Sequence, residues 1–368
     1  MIRRLLLAML CFAALLGAGL ASGAAERTPI VLNRARTLVS SEENGKRKQE
    51  LQGDVEITKD SLIVTCQNAE YYPDSGIVIF RDDVVFKTPH RILMADQVIY
   101  NENTEEVHAS NRVRVYQGDT LSATSRTADY FDRLKAGYLY DEVNMREDNR
   151  RVLLTGQKGF GDNDRKYGWV TGNPVATERD STMKIISQVH GDTIEYFGDT
   201  KLMRVRGKVR VDRDSLVATG TALDYFTQEH YAVLVGGPEA MRSNDHVKGD
   251  TIRLYFEKEK EALDSVEVSG HALVTSPADS TSPEPLNRME GKHMTLYLDK
   301  GAISKVLVQG TAVATYYVRE KAEKRGMNIT SGDRLWVFFE DRKIARIRVE
   351  GGTEGQYTPQ RLVSKPAS

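Results

Sequence analysis

The chain has 368 residues, of which 28% are charged and 40% are apolar, and its formal net charge is −1 at pH 7. This composition is typical of a globular protein and argues against a disordered chain. A nucleic-acid-binding protein would carry a basic stripe and a high isoelectric point, so the balanced charge argues against that class as well.

The first 25 residues differ in composition from the rest of the chain. Arg3 and Arg4 precede an apolar stretch at residues 5–20, and small residues follow at 22–25. This order predicts a cleavable signal peptide and export across the inner membrane, with an uncleaved membrane anchor as the alternative. Cleavage leaves Cys66 as the only cysteine, so we expect no internal disulfide and a core thiol at this position.

A five-residue phrase (apolar, any, turn residue, any, apolar) recurs along the remaining sequence. It begins at Leu51, Phe80, Ala109, Leu139, Val170, Val205, Val235, Val268, Val308 and Val349. An aromatic residue recurs with the same spacing, at Tyr71, Tyr100, Tyr130, Phe160, Tyr196, Tyr225, Tyr255, Tyr297 and Phe338. Two features in step predict an internal repeat of about ten units of roughly 30 residues. We interpret the aromatic position as a stacking ladder that fixes the register between units.

Apolar residues alternate with polar ones inside each unit, as in strands that bury one face. The pattern predicts strands of about five to seven residues joined by turn pairs. These pairs are Asp60–Ser61, Asp119–Thr120, Asp214–Ser215 and Gly249–Asp250. The fold class we predict is all-β, with units stacked into a rolled sheet because one unit cannot bury its apolar face alone. Residues 276–287 and 319–326 lengthen two units, and we expect them to form solvated loops.

At residues 51–57, 60–65, 69–72 and 209–226 the sequence resembles the OstA-like, or LptA-like, periplasmic family. The resemblance implies a β-jellyroll, open along one side, that holds acyl chains in an apolar interior. It also implies transport of lipopolysaccharide from the inner to the outer membrane and end-to-end joining through exposed edge strands. The implied partners are therefore lipopolysaccharide or lipid A, membrane transport components bound by edge-strand pairing, and a second copy of the chain.

These observations predict five segments. Residues 1–25 are a signal peptide, 26–145 a first OstA-like β-repeat module, 146–189 irregular β units or a seam, 190–353 a second module, and 354–368 a flexible tail.

No motif points to catalysis. The seven histidines form no HExxH spacing, and CxxC and G-x-S-x-G are absent. We therefore predict a protein that is not an enzyme and that needs neither a cofactor nor a metal. A polysaccharide lyase built on a β-repeat remains a minor alternative.

The candidate site is the alternating apolar set that would line the interior groove. Its members are Val55, Ile57, Val84, Phe86, Val113, Val115, Val143, Met145, Val209, Val211, Val266, Val268, Val306 and Val308. The predicted function is that of a periplasmic carrier or bridge that shields the acyl chains of lipopolysaccharide. The alternative is a β-solenoid scaffold or cell-envelope interaction protein whose core is filled and binds no lipid. A register error of one residue would turn the whole set outward.

Overall fold

The computed structural model describes residues 30–118, 121–147, 151–213, 215–242, 244–257, 262–279, 282–299, 301–320, 323–340 and 343–360. The predicted signal peptide, the pair Asp119–Thr120 and Asp214 lie outside these ranges. Within them, no helix is long and apolar enough to cross a membrane. The chain divides into two compact units, with the boundary between Met203 and Arg204.

In its described residues, the first unit consists of short and long strands with one 3-10 turn at Asp132–Leu134. Its strands are β1 (Val31–Arg34), β2 (Thr37–Glu43), β3 (Lys46–Lys59), β4 (Leu62–Tyr72), β5 (Ile77–Thr88), β6 (Arg91–Asn101), β7 (Glu106–Gln117), β8 (Leu121–Phe131), β9 (Ala136–Glu147), β10 (Val152–Asp162), β11 (Tyr167–Thr171), β12 (Val175–Arg179), β13 (Ile185–His190) and β14 (Thr193–Phe197).

The second unit is also built from strands, and the first of them begins two residues before the boundary. They are β15 (Leu202–Arg213), β16 (Leu216–Phe226), β17 (Tyr231–Val235), β18 (Glu239–Arg242), β19 (Asp245–Lys248), β20 (Thr251–Phe256), β21 (Leu263–Asp279), β22 (Ser282–Asp299), β23 (Ala302–Glu320), β24 (Glu323–Glu340), β25 (Lys343–Glu350) and β26 (Glu354–Pro359).

Both units are antiparallel meanders, which confirms the all-β prediction. From β3 to β10, and again from β20 to β25, each strand pairs with the next one along the chain. The predicted strand length of five to seven residues is wrong for most of them, since β4 to β9 each have 11 or 12 residues.

The strands are longer because the recurring phrase marks a corner inside a strand. In β5, Asp82 and Asp83 both have positive φ, 64° and 53°, and the pairing register shifts between Arg81 and Val84. Every copy of the phrase has such a pair, at residues 53–54, 82–83, 111–112, 141–142, 172–173, 207–208, 236–237, 270–271, 310–311 and 351–352. Asn, Asp and Gly tolerate this left-handed conformation best, which explains why they recur there. Such a bulge bends the strand, and in β3, β5, β7, β9 and β15 each half has the predicted five to seven residues. The pairs at 172–173, 236–237 and 351–352 fall between two successive strands.

The neighbouring strand carries a small residue at each corner. These residues are Cys66, Ala95, Ser125, Gly156, Gly191, Gly220, Gly249, Gly291 and Gly332. A Cβ atom at Gly249 would lie 2.4 Å from Cγ1 of Val268, so the close approach of the two strands requires glycine. Gly249–Asp250 therefore faces the corner at residues 270–271 and does not form the predicted hairpin turn: the Asp250 amide donates to the carbonyl oxygens of Ser269 and Gly270, at 3.1 and 2.9 Å.

Cys66 occupies the same small-residue position in β4. The residue is buried, as the sequence predicts for a core thiol, and burial raises the pKa of Cys66 to about 11. The thiol is therefore protonated at neutral pH.

We expect Gly291→Ala to destabilise the second unit. The added Cβ would lie 2.5 Å from Cγ1 of Val308 and 3.1 Å from the carbonyl oxygen of Gln309. Overpacking of this kind costs about 1–3 kcal/mol of unfolding free energy. The matched control is Gly355→Ala, because a Cβ there meets no atom within 4 Å. Urea unfolding monitored by circular dichroism distinguishes them, and equal losses would show that the corner does not need glycine.

The two sequence insertions extend the sheet, so the prediction of solvated loops is wrong. Ser276 pairs with Asn287 in the hairpin of β21 and β22, and Tyr317 pairs with Met327 between β23 and β24. The amide of Tyr317 donates to Oδ1 of Asn287 at 3.0 Å, which ties the two extensions together. Residues 354–359, which we expected in a C-terminal tail, form β26 and pair with β24.

Candidate functional site

The first unit contains a cavity of about 430 Å³ between two walls of its sheet. Its apolar lining is Ile30, Leu32, Leu38, Leu51, Ile57, Leu62, Val64, Ala69, Val78, Phe80, Phe86 and Val107. Three tyrosines and four polar residues complete it, namely Tyr71, Tyr100, Tyr130, Gln49, Lys59, Glu102 and Asp132. The volume falls in the range of small-molecule sites, and such a lining favours an apolar ligand.

The corners place the two halves of each strand on opposite walls. Leu51, before the corner of β3, pairs with Ala69 of β4, which pairs with Phe80 of β5. After the corners, Ile57 pairs with Val64, and Val64 with Phe86. Both rows line the same cavity. The interior space is therefore created by the bend that the recurring phrase encodes.

A third row of paired residues forms one side of the cavity. It alternates between tyrosine and valine across successive strands, in the order Tyr71, Val78, Tyr100, Val107, Tyr130. The interpretation of the recurrent aromatic as a stacking ladder is wrong here, because a valine separates each tyrosine from the next.

Phe160 departs from this row altogether. Gly161, one residue later, occupies the row position, while the Phe160 ring stacks on Trp169 with centroids 5.7 Å apart. The repeat spacing alone therefore did not reveal that Phe160 lies on the opposite face of the sheet from the tyrosine row.

The end of the cavity formed by β1 to β3 opens to solvent. Ile30, Leu32 and Leu38 line the cavity, and their side chains are 46%, 42% and 53% exposed. These aliphatic side chains continue the apolar surface of the cavity out to solvent.

The tyrosine row adjoins a polar part of the cavity lining, formed by Glu102 and Asp132. Tyr71 Oη donates to Glu102 Oε2 at 3.2 Å, and Tyr130 Oη donates to Asp132 Oδ1 at 3.1 Å. Burial raises the pKa of Tyr100 to about 12, and burial together with the Asp132 carboxylate raises the pKa of Tyr130. All three phenols are therefore neutral donors at physiological pH.

A second, smaller cavity of about 50 Å³ adjoins the first. The two share Leu62, Phe86, Val107 and Tyr130. Arg91 lines the smaller one, and burial lowers the pKa of its guanidinium, which remains charged at neutral pH.

The predicted groove residues fall into two groups. Ile57 and Phe86 line the large cavity, and Phe86 and Val115 line the small one. The remaining members line neither of these two cavities. Val211 is half-buried, and the others are buried, namely Val55, Val84, Val113, Val143, Met145, Val209, Val266, Val268, Val306 and Val308. The inward phase of the alternation is thus observed at these positions, and their contact with a lipid stays a prediction.

Sequence reasoning missed most of the lining. Leu51, Ala69 and Phe80 could have been found, because each lies before a corner with the same alternation as the residues chosen after it. The acidic residue two positions after an aromatic, as in Glu102 and Asp132, was a further signal. Within the described part of the chain, no group of three or more His, Cys, Asp or Glu side chains is arranged to hold a metal ion.

Comparison with known proteins gives two similarities. Residues 76–162 match the family model of the OstA-like proteins. The chain is also similar to LptH, the LptA homologous periplasmic component of the conserved lipopolysaccharide transport device from Pseudomonas aeruginosa, at 12% identity and a TM-score of 0.31. That alignment covers 39% of this chain and 95% of LptH. No curated protein matches the chain significantly.

Proposed function

Because the chain carries an OstA-like domain over residues 76–162, we propose that it binds the acyl chains of a lipid, lipopolysaccharide in the first instance, inside its rolled sheet. The observation that carries the proposal is the apolar cavity with a solvent-open end. Val78, Phe80 and Phe86 are among the lining residues that lie within the matched segment. The protein would act as a carrier or bridge that shields the lipid and does not transform it.

Shielding is favourable because acyl chains are costly to expose to water. Each methylene removed from water contributes about 0.8 kcal/mol. A wall of aliphatic side chains supplies that environment, and the exposed entrance lets the polar part of the lipid remain in solvent.

The proposed location is the periplasm, and the proposed partners are membrane transport components. The strands β1 and β2 lie at the entrance and both pair with β3. Exposed Val31 and Val39 lie on these strands. Strand addition at such an edge, by a transport component or by a second copy of the chain, would continue the sheet.

The proposal predicts that Ile57→Glu removes lipid capture. Ile57 is half-buried in the cavity wall, so a carboxylate there is tolerated by the fold but must be desolvated beside an acyl chain. We expect lipopolysaccharide that co-purifies from a Gram-negative periplasm, quantified by native mass spectrometry, to fall by at least about tenfold.

Ile63→Glu is the matched control, because Ile63 is 41% exposed on the neighbouring strand and does not line the cavity. It should retain the lipid. Equal retention by both variants would contradict the proposed site. A folded wild-type protein that carries no lipid and binds none when offered lipid A would favour the scaffold alternative.

A further inference from the structure

The polar end of the cavity contains a buried acceptor that the protein itself leaves unused. Asp132 borders the cavity and is only 1% exposed. Its Oδ1 accepts hydrogen bonds from Tyr130 Oη at 3.1 Å and from Lys135 Nζ at 2.8 Å. Its Oδ2 is buried and has no hydrogen-bond partner among the described residues. A buried carboxylate oxygen without a donor is costly, so its presence beside a cavity requires an explanation.

We propose that Asp132 recognises a neutral hydrogen-bond donor, a hydroxyl or an amide N–H, on the lipid that enters this cavity. The inference rests on the proposed function and adds to it a polar feature that the ligand must carry. The donor would reach the carboxylate from the cavity side. The terminal torsion of an aspartate is broad, so rotation about it can turn Oδ2 toward the cavity without rebuilding the backbone.

The surrounding charges decide between a neutral donor and a cationic one. The Lys135 ammonium already contacts the carboxylate, and the Arg91 guanidinium interacts with it electrostatically. A third cation would meet two like charges at a carboxylate that is only 1% exposed. A hydroxyl or an amide supplies the missing hydrogen bond without adding charge.

The test compares two probes that differ in their donor. Dodecan-1-ol carries a hydroxyl, and dodecyl methyl ether keeps the oxygen but cannot donate. Each is titrated into the full chain by displacement of the fluorescent apolar probe N-phenyl-1-naphthylamine. For the wild type we expect the alcohol to bind about tenfold more tightly than the ether, because only the alcohol satisfies the buried acceptor.

Asp132→Asn should remove that preference, because the amide nitrogen would then occupy the position of Oδ2, and an amide NH2 group donates hydrogen bonds but cannot accept one from the alcohol. An ether affinity unchanged from wild type would show that the variant keeps an intact cavity. Glu102→Gln is the matched control, because Glu102 lines the same cavity and its Oε2 already has a donor in Tyr71. It should retain the preference.

The possible outcomes separate this inference from the proposed function. If both probes bind the wild type equally, or if Asp132→Asn keeps the tenfold preference, the role of Asp132 is refuted while lipid binding stands. If neither probe binds the wild type, the lipid-binding function fails as well. A preference that disappears in Asp132→Asn and persists in Glu102→Gln supports the inference.

Discussion

Val113→Asp is expected to unfold the first unit. Val113 lies in β7 immediately after a corner, is 1% exposed and lines neither cavity. An aspartate there would place a carboxylate in a packed core without a compensating cation, which costs more than about 4 kcal/mol. That is close to the whole stability of a typical domain. Urea unfolding of the full chain, followed by far-ultraviolet circular dichroism, should show the loss of one transition.

The adjacent position provides the control. Arg114 is exposed on the other face of the same strand, so Arg114→Asp should change the unfolding free energy by no more than about 0.5 kcal/mol. Similar unfolding curves for the two aspartate variants would mean that β7 does not bury this face. If Val113→Asp instead folded normally, the interior of the sheet around Val113 would be accessible to water.

This result would separate two roles within the predicted groove set. An acidic residue at a packed position such as Val113 reports on folding and says nothing about lipid. Ile57, two residues beyond the fully buried Val55 in β3, reports on the ligand because it faces the cavity. The alternation of apolar residues assigns both to the same face and cannot tell them apart.

The sequence was sufficient to predict the fold class and the buried face. Val209 and Val308 were chosen from alternation alone and are buried. Gly249–Asp250, which faces a corner, was misinterpreted as a turn because Gly and Asp are both frequent in turns. What distinguishes a corner is the small residue on the facing strand, such as Gly249 opposite Val268, and this is visible only when strands are paired.

The cavity was less accessible to sequence reasoning for a physical reason. Its volume depends on how far apart two walls lie, which is set by the sizes of side chains from several strands. Ala69 and Ala128 are both buried, and each lies two residues before the recurrent tyrosine of its unit. Ala69 nevertheless lines the large cavity, whereas Ala128 lines only the small one. The sequence next to the two alanines does not reveal which of them lines the large cavity.

Filling the cavity from Ala69 should abolish lipid binding without unfolding the protein. Ala69 is buried between Leu51 and Phe80 in the cavity wall, so the ring of Ala69→Phe would enter space that an acyl chain needs. Excluding four or more methylenes, at about 0.8 kcal/mol each, weakens acyl-chain binding by about 100-fold or more. Displacement of N-phenyl-1-naphthylamine by dodecan-1-ol measures the loss, and the melting temperature should hold or rise because the ring gains apolar burial.

The same substitution at a packed alanine should have the opposite result. Ala240 of β18 is buried and lines neither cavity, so Ala240→Phe must displace its neighbours and should cost about 1–3 kcal/mol of stability. Its probe binding should match the wild type, because the site in the first unit is untouched. A destabilised Ala69→Phe that still binds the probe would mean that the ring packs elsewhere and that the acyl chain uses another surface. Stability and binding that change in opposite directions at the two alanines would identify the cavity as the place where the interior is held open for a ligand.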